Sequence, residues 1–229
     1  TRRGVLCAGG SNADGHLADV FLLRWENGAT RITPLPALPQ RCANACGALV
    51  GNTAYVAGGT ATPDAVVALR ICWALDLDHT DAGWRELEPW PGVGRMQAVA
   101  ATLNGAFYLC GGVALKADAE GKAQREFLRY VWRYEPGIGW RRCQDMPRAA
   151  IAAPSPAPVG QGRFFIVGGV EDARIIPSAE HPGFPRSVLS YDPHADRWAA
   201  AGKAPFSVVT APATTWQGRV VIPGGEVRP

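Results

Sequence analysis

No run of about 18 consecutive apolar residues occurs anywhere in this 229-residue chain, so the sequence offers no membrane-spanning helix. No signal peptide is visible either, because Thr1-Arg2-Arg3 leads straight into the strand-like Val5-Leu6-Cys7-Ala8. Net charge is small: 23 Lys and Arg against 20 Asp and Glu leave +3 and a pI near 8.6. No Lys/Arg block forms a stripe, and without one the electrostatic footprint of a nucleic-acid binder is missing. Helical periodicity is absent as well. The four histidines share no metal-ligand spacing, which argues against a zinc or copper site.

The six cysteines are also not spaced as a metal site, and a chain of this size with 47% hydrophobic residues has a core that does not need disulfides. Cys42 and Cys46 read as CxxxC. On a single strand, four residues at about 3.3 Å each would separate them by roughly 13 Å, too far for a disulfide or a shared metal. Cys7 and Cys110 sit in apolar runs, where a free thiol behaves as a small hydrophobe. All six read as structural thiols.

What the chain does have is a repeat. An apolar run closed by two glycines ends at Gly9-Gly10, Gly58-Gly59, Gly111-Gly112, Gly168-Gly169 and Gly224-Gly225, at spacings of 49, 53, 57 and 56 residues. A fixed period of this size marks an array of one supersecondary unit. Each full unit parses into four short strands. In the second these are Ala43 to Leu49, Thr53 to Gly58, Cys72 to Leu77 and Trp84 to Leu87; in the fourth, Ile151 to Val159 opens the unit. The tryptophans Trp84, Trp140 and Trp198 stand at a nearly constant distance before the next glycine pair, while the stretches after the glycines carry insertions, Ala114 to Glu126 and Ile175 to Pro185. Four antiparallel strands per unit is the signature of β-propeller blades. The expected organisation is one all-β propeller segment: a partial blade over 1–41, blades over 42–94, 95–147 and 148–205, and a partial blade over 206–229.

Alternating strand direction sends every post-glycine loop to one face, together with the residues that open each innermost strand. Those openers are Arg41, Arg95, Arg148 and Ser207. Guanidinium groups around a channel mouth suit a small anion, because Arg presents a planar fork of donors to a carboxylate. The plainer reading is that such an Arg satisfies carbonyls or a neighbouring blade. His16 and His181 fall in loops of the same face, His79 and His194 on the opposite one. Glu226 directly follows the last glycine pair, at the mouth, where a carboxylate could exchange protons; on position alone a solvated loop carboxylate is the plainer reading. Glu171 and Asp14 are its nearest counterparts in other loops.

The apolar run closed by Gly-Gly, followed by Tyr134 and Trp140 or by Tyr191 and Trp198, resembles the kelch repeat over essentially the whole chain. More narrowly, Val221-Ile222-Pro223-Gly224-Gly225-Glu226 resembles the stretch that carries the catalytic carboxylate in the N-acetylneuraminate epimerases, the cyclically permuted mutarotases. Asp19 to Trp25, Trp73 to Leu77 and His181 to Arg186 are similar to that group as well. The resemblance implies a six-bladed kelch propeller, of which three full blades and two partial ones lie here, and an exported protein. It implies Glu226 as proton acceptor, with an assisting arginine beyond Pro229; Arg228 sits too early to match it. By this reading the molecule interconverts the α and β anomers of free sialic acid, holds the sugar acid's carboxylate with Arg41, Arg95, Arg148 and Ser207, and needs neither metal nor cofactor. The expected partner is a small sugar acid, with no nucleic acid and no membrane. The alternative is a non-catalytic kelch module binding a protein or glycan through the same face. A copper radical oxidase would need His and Tyr ligands that this chain does not assemble.

Overall fold

The computed structural model describes residues 1, 3–171 and 181–227. The insertion from Ile175 lies outside them as far as residue 180, and so does Arg228. Strands dominate the described residues, the one helical piece being a short 3-10 turn over Thr80–Ala82. Among the described residues no helix is long and apolar enough to cross a membrane.

Apart from two short hairpins, Ser11–Asn12 with Gly15–His16 and Val113–Ala117 with Ala123–Phe127, the strands form five successive antiparallel sheets that we label blades A to E. Blade A has three strands (Val5–Ala8, Val20–Glu26, Ala29–Leu35), and blade E has two (Thr214–Trp216, Arg219–Val221). Blade B comprises Cys46–Val50, Thr53–Ala57, Cys72–Asp76 and Arg85–Leu87. In blade C the strands are Val99–Leu103, Ala106–Cys110, Val131–Glu135 and Gly139–Cys143. Blade D follows the same order with Val159–Gly160, Arg163–Val167, Ser187–Asp192 and Arg197–Lys203. Each sheet pairs its strands in chain order, the arrangement of a propeller blade. The chemistry of the turns explains the meander. Asn104 and Gly105 both take left-handed backbone angles, φ 52° and 73°, the pair that closes a tight hairpin with the right twist.

Two stretches depart from the sequence reading. Ile151 to Val159 is not a strand: only Val159–Gly160 forms a ladder, while Ile151 and Ser155 make isolated bridges to Val170 and Pro212. Pro154, Pro156 and Pro158 lack the N–H that a ladder requires, and Ala152 is left-handed at φ 53°. The insertion Ala114 to Glu126 is itself structured, as a hairpin of Val113–Ala117 with Ala123–Phe127. Its first three residues, Val113 to Leu115, are buried, while Lys116, Ala117 and most of the returning strand are exposed.

Side chains between blades build the core. Tyr55 of blade B stacks on Phe107 of blade C at 5.5 Å, and Tyr108 of blade C meets Phe164 of blade D at 5.0 Å. The repeating tryptophan has a repeating partner in the preceding blade. The indole N–H of Trp84 donates to Pro36 O at 2.9 Å, that of Trp140 to Glu88 O at 2.8 Å, and that of Trp198 to Gln144 O at 2.9 Å. Each tryptophan therefore contributes buried area to its own blade and a directional link to its neighbour.

The cysteines are all free, and every one but Cys7 is buried. Cys42 stands outside the strand that begins at Cys46, so the single-strand spacing argument does not describe that pair. Burial raises their thiols, Cys42 to about 11 and Cys46 and Cys72 to about 12.

Candidate functional site at the blade convergence

The residue after each of the last four glycine pairs returns to the segment that leads into an inner strand, whereas Ser11, after the first, pairs with His16. Isolated bridges join Ala43 to Thr60, Met96 to Val113, Ile151 to Val170 and Val209 to Glu226. Glu226 is thus the blade E equivalent of Thr60, Val113 and Val170, and Ser11 holds the corresponding sequence position after the first glycines. Of these five residues only Glu226 is ionisable. Its backbone is pinned by two hydrogen bonds exchanged with Val209, both at 3.0 Å, while the residue itself is exposed.

A second layer lies beside these bridges. Asn44, Gln97, Ala152 and Thr210 are all left-handed, with φ of 57°, 53°, 53° and 56°. They bond to one another in sequence: Gln97 N–H donates to Asn44 O at 2.8 Å, Ala152 N–H to Gln97 O at 2.9 Å, and Thr210 N–H to Ala152 O at 2.7 Å. Equivalent residues of neighbouring blades come within hydrogen-bond distance only where a radial array converges. This chain of amides consequently marks the inner rim, and the bridge residues, Glu226 among them, stand next to it.

The strand-opening residues behave individually. Arg41 is exposed and Ser207 half-buried. Arg95 is fully buried: its Nη1 donates to Gly111 O at 2.8 Å and Tyr130 O at 3.2 Å in the following blade, and its guanidinium lies 5.3 Å from the Trp90 ring centre. Burial lowers its pKa to about 10. Arg148 makes the equivalent reach, donating from Nη2 to Ser187 O at 2.9 Å and from Nη1 to Ala149 O at 2.9 Å. Its Nε is 3.0 Å from Glu171 Oε1, and Glu171 opposes the downward shift that burial imposes on Arg148. Arg95 thus engages carbonyls at the glycine pair and just before the third strand of blade C, and Arg148 the first residue of the third strand of blade D, so both side chains clasp the segment entering a blade to that blade's third strand.

The sequence reading gave little weight to His16, which the fold places at the heart of a polar cluster. It is 5% exposed, with Nδ1 2.8 Å from Ser11 Oγ and Nε2 3.0 Å from Thr60 Oγ1. Thr60 Oγ1 also accepts from Asn44 Nδ2 at 3.2 Å. The available signal was the alignment of residues after the glycine pairs, which places Ser11 and Thr60 at the level of Glu226. His181 accepts from Gly183 N–H, and His79 pairs with Asp76. Among the described residues no group of three or more His, Cys, Asp or Glu is placed to hold a metal ion.

A cavity of about 690 Å³ is walled by Leu6 of blade A, Ala48 and Tyr55 of blade B, Pro156 of the segment entering blade D, and Ala213 and Pro223 flanking the strands of blade E. Glu226, Ser207 and the three arginines are not among its lining residues.

Comparison with known proteins assigns the lineage. The family model described as N-acetylneuraminate epimerase matches residues 35–176. An N-acetylneuraminate epimerase of Haemophilus influenzae strain PittEE is 28% identical over 221 residues, 85% of this chain and 56% of that protein. One from Yersinia enterocolitica is 25% identical over 221 residues, again 85% of this chain and 54% of the relative. The chain thus spans about half the length of these curated relatives. Among solved structures, that of YjhT superposes with a TM-score of 0.67 at 21% identity, covering 84% of this chain and 61% of its own. That likeness supports the propeller fold, and the sequence match over more than half of the residues supports the descent: the chain belongs to the N-acetylneuraminate epimerase family.

Proposed function

We propose that the protein interconverts the anomers of a free sialic acid by acid/base ring opening, with Glu226 as the base. The observation that carries this is the position of Glu226: it is the single carboxylate among the residues that follow the five glycine pairs, held by its backbone beside the inner rim. In the reaction the carboxylate takes the proton of the anomeric hydroxyl as the bond from the anomeric carbon to the ring oxygen breaks. The ring oxygen gains a proton, the keto form turns, and reclosure on the other face returns both protons. No metal or cofactor enters the scheme. The sugar acid's carboxylate would be held from the Arg41, Arg148 and Ser207 side of the rim. Arg95, with its guanidinium enclosed between blades, would support the wall from behind.

One observation favours a second reading, a non-catalytic module that binds a glycan or protein through this face: Glu226 is exposed, whereas a base working on ring opening gains from restricted water. NMR of freshly released α-anomer separates the two. Native protein should accelerate equilibration and Glu226→Gln should abolish the acceleration; a variant as fast as the native protein sinks the base assignment.

A further inference from the structure

Ser11, Thr60 and Glu226 share one repeat position, and His16 joins the first two. The resulting chain of hydrogen bonds starts at exposed Ser11, passes through buried His16 and Thr60, and ends at exposed Asn44, itself a member of the left-handed inner rim. None of its members is a carboxylate, lysine or arginine. Both imidazole nitrogens are already engaged, one with each hydroxyl, so His16 has no capacity left for a ligand. Thr60 Oγ1 is likewise occupied: it meets His16 and Asn44 and lies 3.5 Å from Ala43 O. Free capacity remains only at the two ends. The Ser11 hydroxyl meets one partner and can take another, and the Asn44 side-chain oxygen is uncommitted once its nitrogen faces Thr60. With the His16 tautomer that donates from Nδ1 to Ser11 Oγ, the Ser11 hydroxyl is free to donate while the Asn44 carbonyl oxygen accepts, a pairing that suits a ligand hydroxyl rather than a carboxylate.

We propose that Ser11 and Asn44 form a neutral subsite for the hydroxyl-bearing side chain of a sugar acid, with His16 as the positioning residue that fixes Ser11 directly and Asn44 through Thr60. The proposal rests on the sugar-acid reading above and adds contacts for the hydroxyl-bearing end of the substrate. A site built to bond a hydroxyl discriminates strongly against an analogue that lacks it, because its polar groups are then left unpaired.

Calorimetric titration of the native protein with N-acetylneuraminate, and with the analogue cut back to the first carbon of the polyol side chain, tests it. Ser11→Ala and His16→Gln should each weaken binding of the intact sugar by about tenfold, the effect of losing one such contact. Both should bind the truncated analogue as the native protein does, a selectivity that a merely structural defect would not produce. Equal losses on both ligands, or no loss on either, overturn the proposal. Because Ser11 is exposed, Ser11→Ala also serves as the variant least exposed to misfolding. Anomer interconversion by Glu226→Gln is read separately, so failure of the base assignment leaves the binding comparison standing.

Discussion

The backbone N–H of Gln97 donates to the carbonyl of Asn44 at 2.8 Å, and both residues hold left-handed angles to make this contact. The link repeats from Gln97 to Ala152 and from Ala152 to Thr210. Blades are thus joined at their convergence by main chain alone, which leaves the side chains at these positions free to differ, as Asn, Gln, Ala and Thr do. The rim can carry different chemistry in each blade without loosening the array.

Thr210 is the strained member of that rim, since a β-branched residue is disfavoured at φ 56°. Thr210→Gly should therefore stabilise the fold by about 1 kcal/mol, read as a higher midpoint in urea. Thr210→Pro should cost about 3 kcal/mol, because it removes the N–H that bonds Ala152 O.

Gly58 and Gly51 both have left-handed angles, φ 70° and 59°, but differ in surroundings. A Cβ on Gly58 would stand 2.3 Å from Arg95 O, whereas one on Gly51 would meet nothing within 4 Å. Gly51→Ala should cost about 1 kcal/mol from backbone strain alone. Gly58→Ala should cost at least about 3 kcal/mol, because the carbonyl it strikes belongs to the link between blades B and C. Denaturant titration of the two variants side by side measures the difference.

Arg95→Ala removes the donor that holds Gly111 O and Tyr130 O. The expected loss is about 2 to 4 kcal/mol, since bonds to a charged donor exceed neutral ones and the carbonyls stay buried. Arg95→Lys should recover only part of it, lacking the planar fork. The loss should change little between low and high salt, because the group is enclosed. Equal stability of Arg95→Ala and native protein in urea would show that the clasp contributes nothing.

The buried thiols predict an alkaline limit. Their folded pKa values, about 11 for Cys42 and about 12 for Cys46 and Cys72, lie above the ordinary thiol value of 9.0. Above pH 9 the unfolded chain releases protons that the folded chain retains. The stabilisation is therefore complete below that pH and is lost between about 9 and 12. Urea midpoints measured at pH 8 and pH 10 should fall on going to the higher value. In native protein at pH 8, a thiol reagent should modify Cys7 quickly and the other five only after denaturant is added.

The pieces legible in sequence are those that depend on local geometry. Gly-Gly pairs, the Asn104-Gly105 turn and the spacing of Trp84, Trp140 and Trp198 are backbone and near-neighbour demands, and they mark out successive four-stranded units. Ile151 to Val159 was misread because apolar content outweighed three prolines, although each proline lacks the N–H that a ladder needs. His16 is hard to read, since its partners Ser11 and Thr60 lie 5 and 44 residues away in different loops and only their shared position after a glycine pair connects them.

By itself the sequence determined the all-β repeat, the face that collects the loops and the singular placement of Glu226 after the last glycine pair. Those properties follow from strand period and turn chemistry, which neighbouring residues impose. Tertiary structure alone decided what each side chain on that face does. Arg41, Arg95 and Arg148 share a sequence position, yet one is exposed, one fully buried and one paired with Glu171, because their surroundings come from the following blade. A side chain's environment is set by the elements packed against it, and for Arg95 and Arg148 those elements arrive 16 to 39 residues later in the chain.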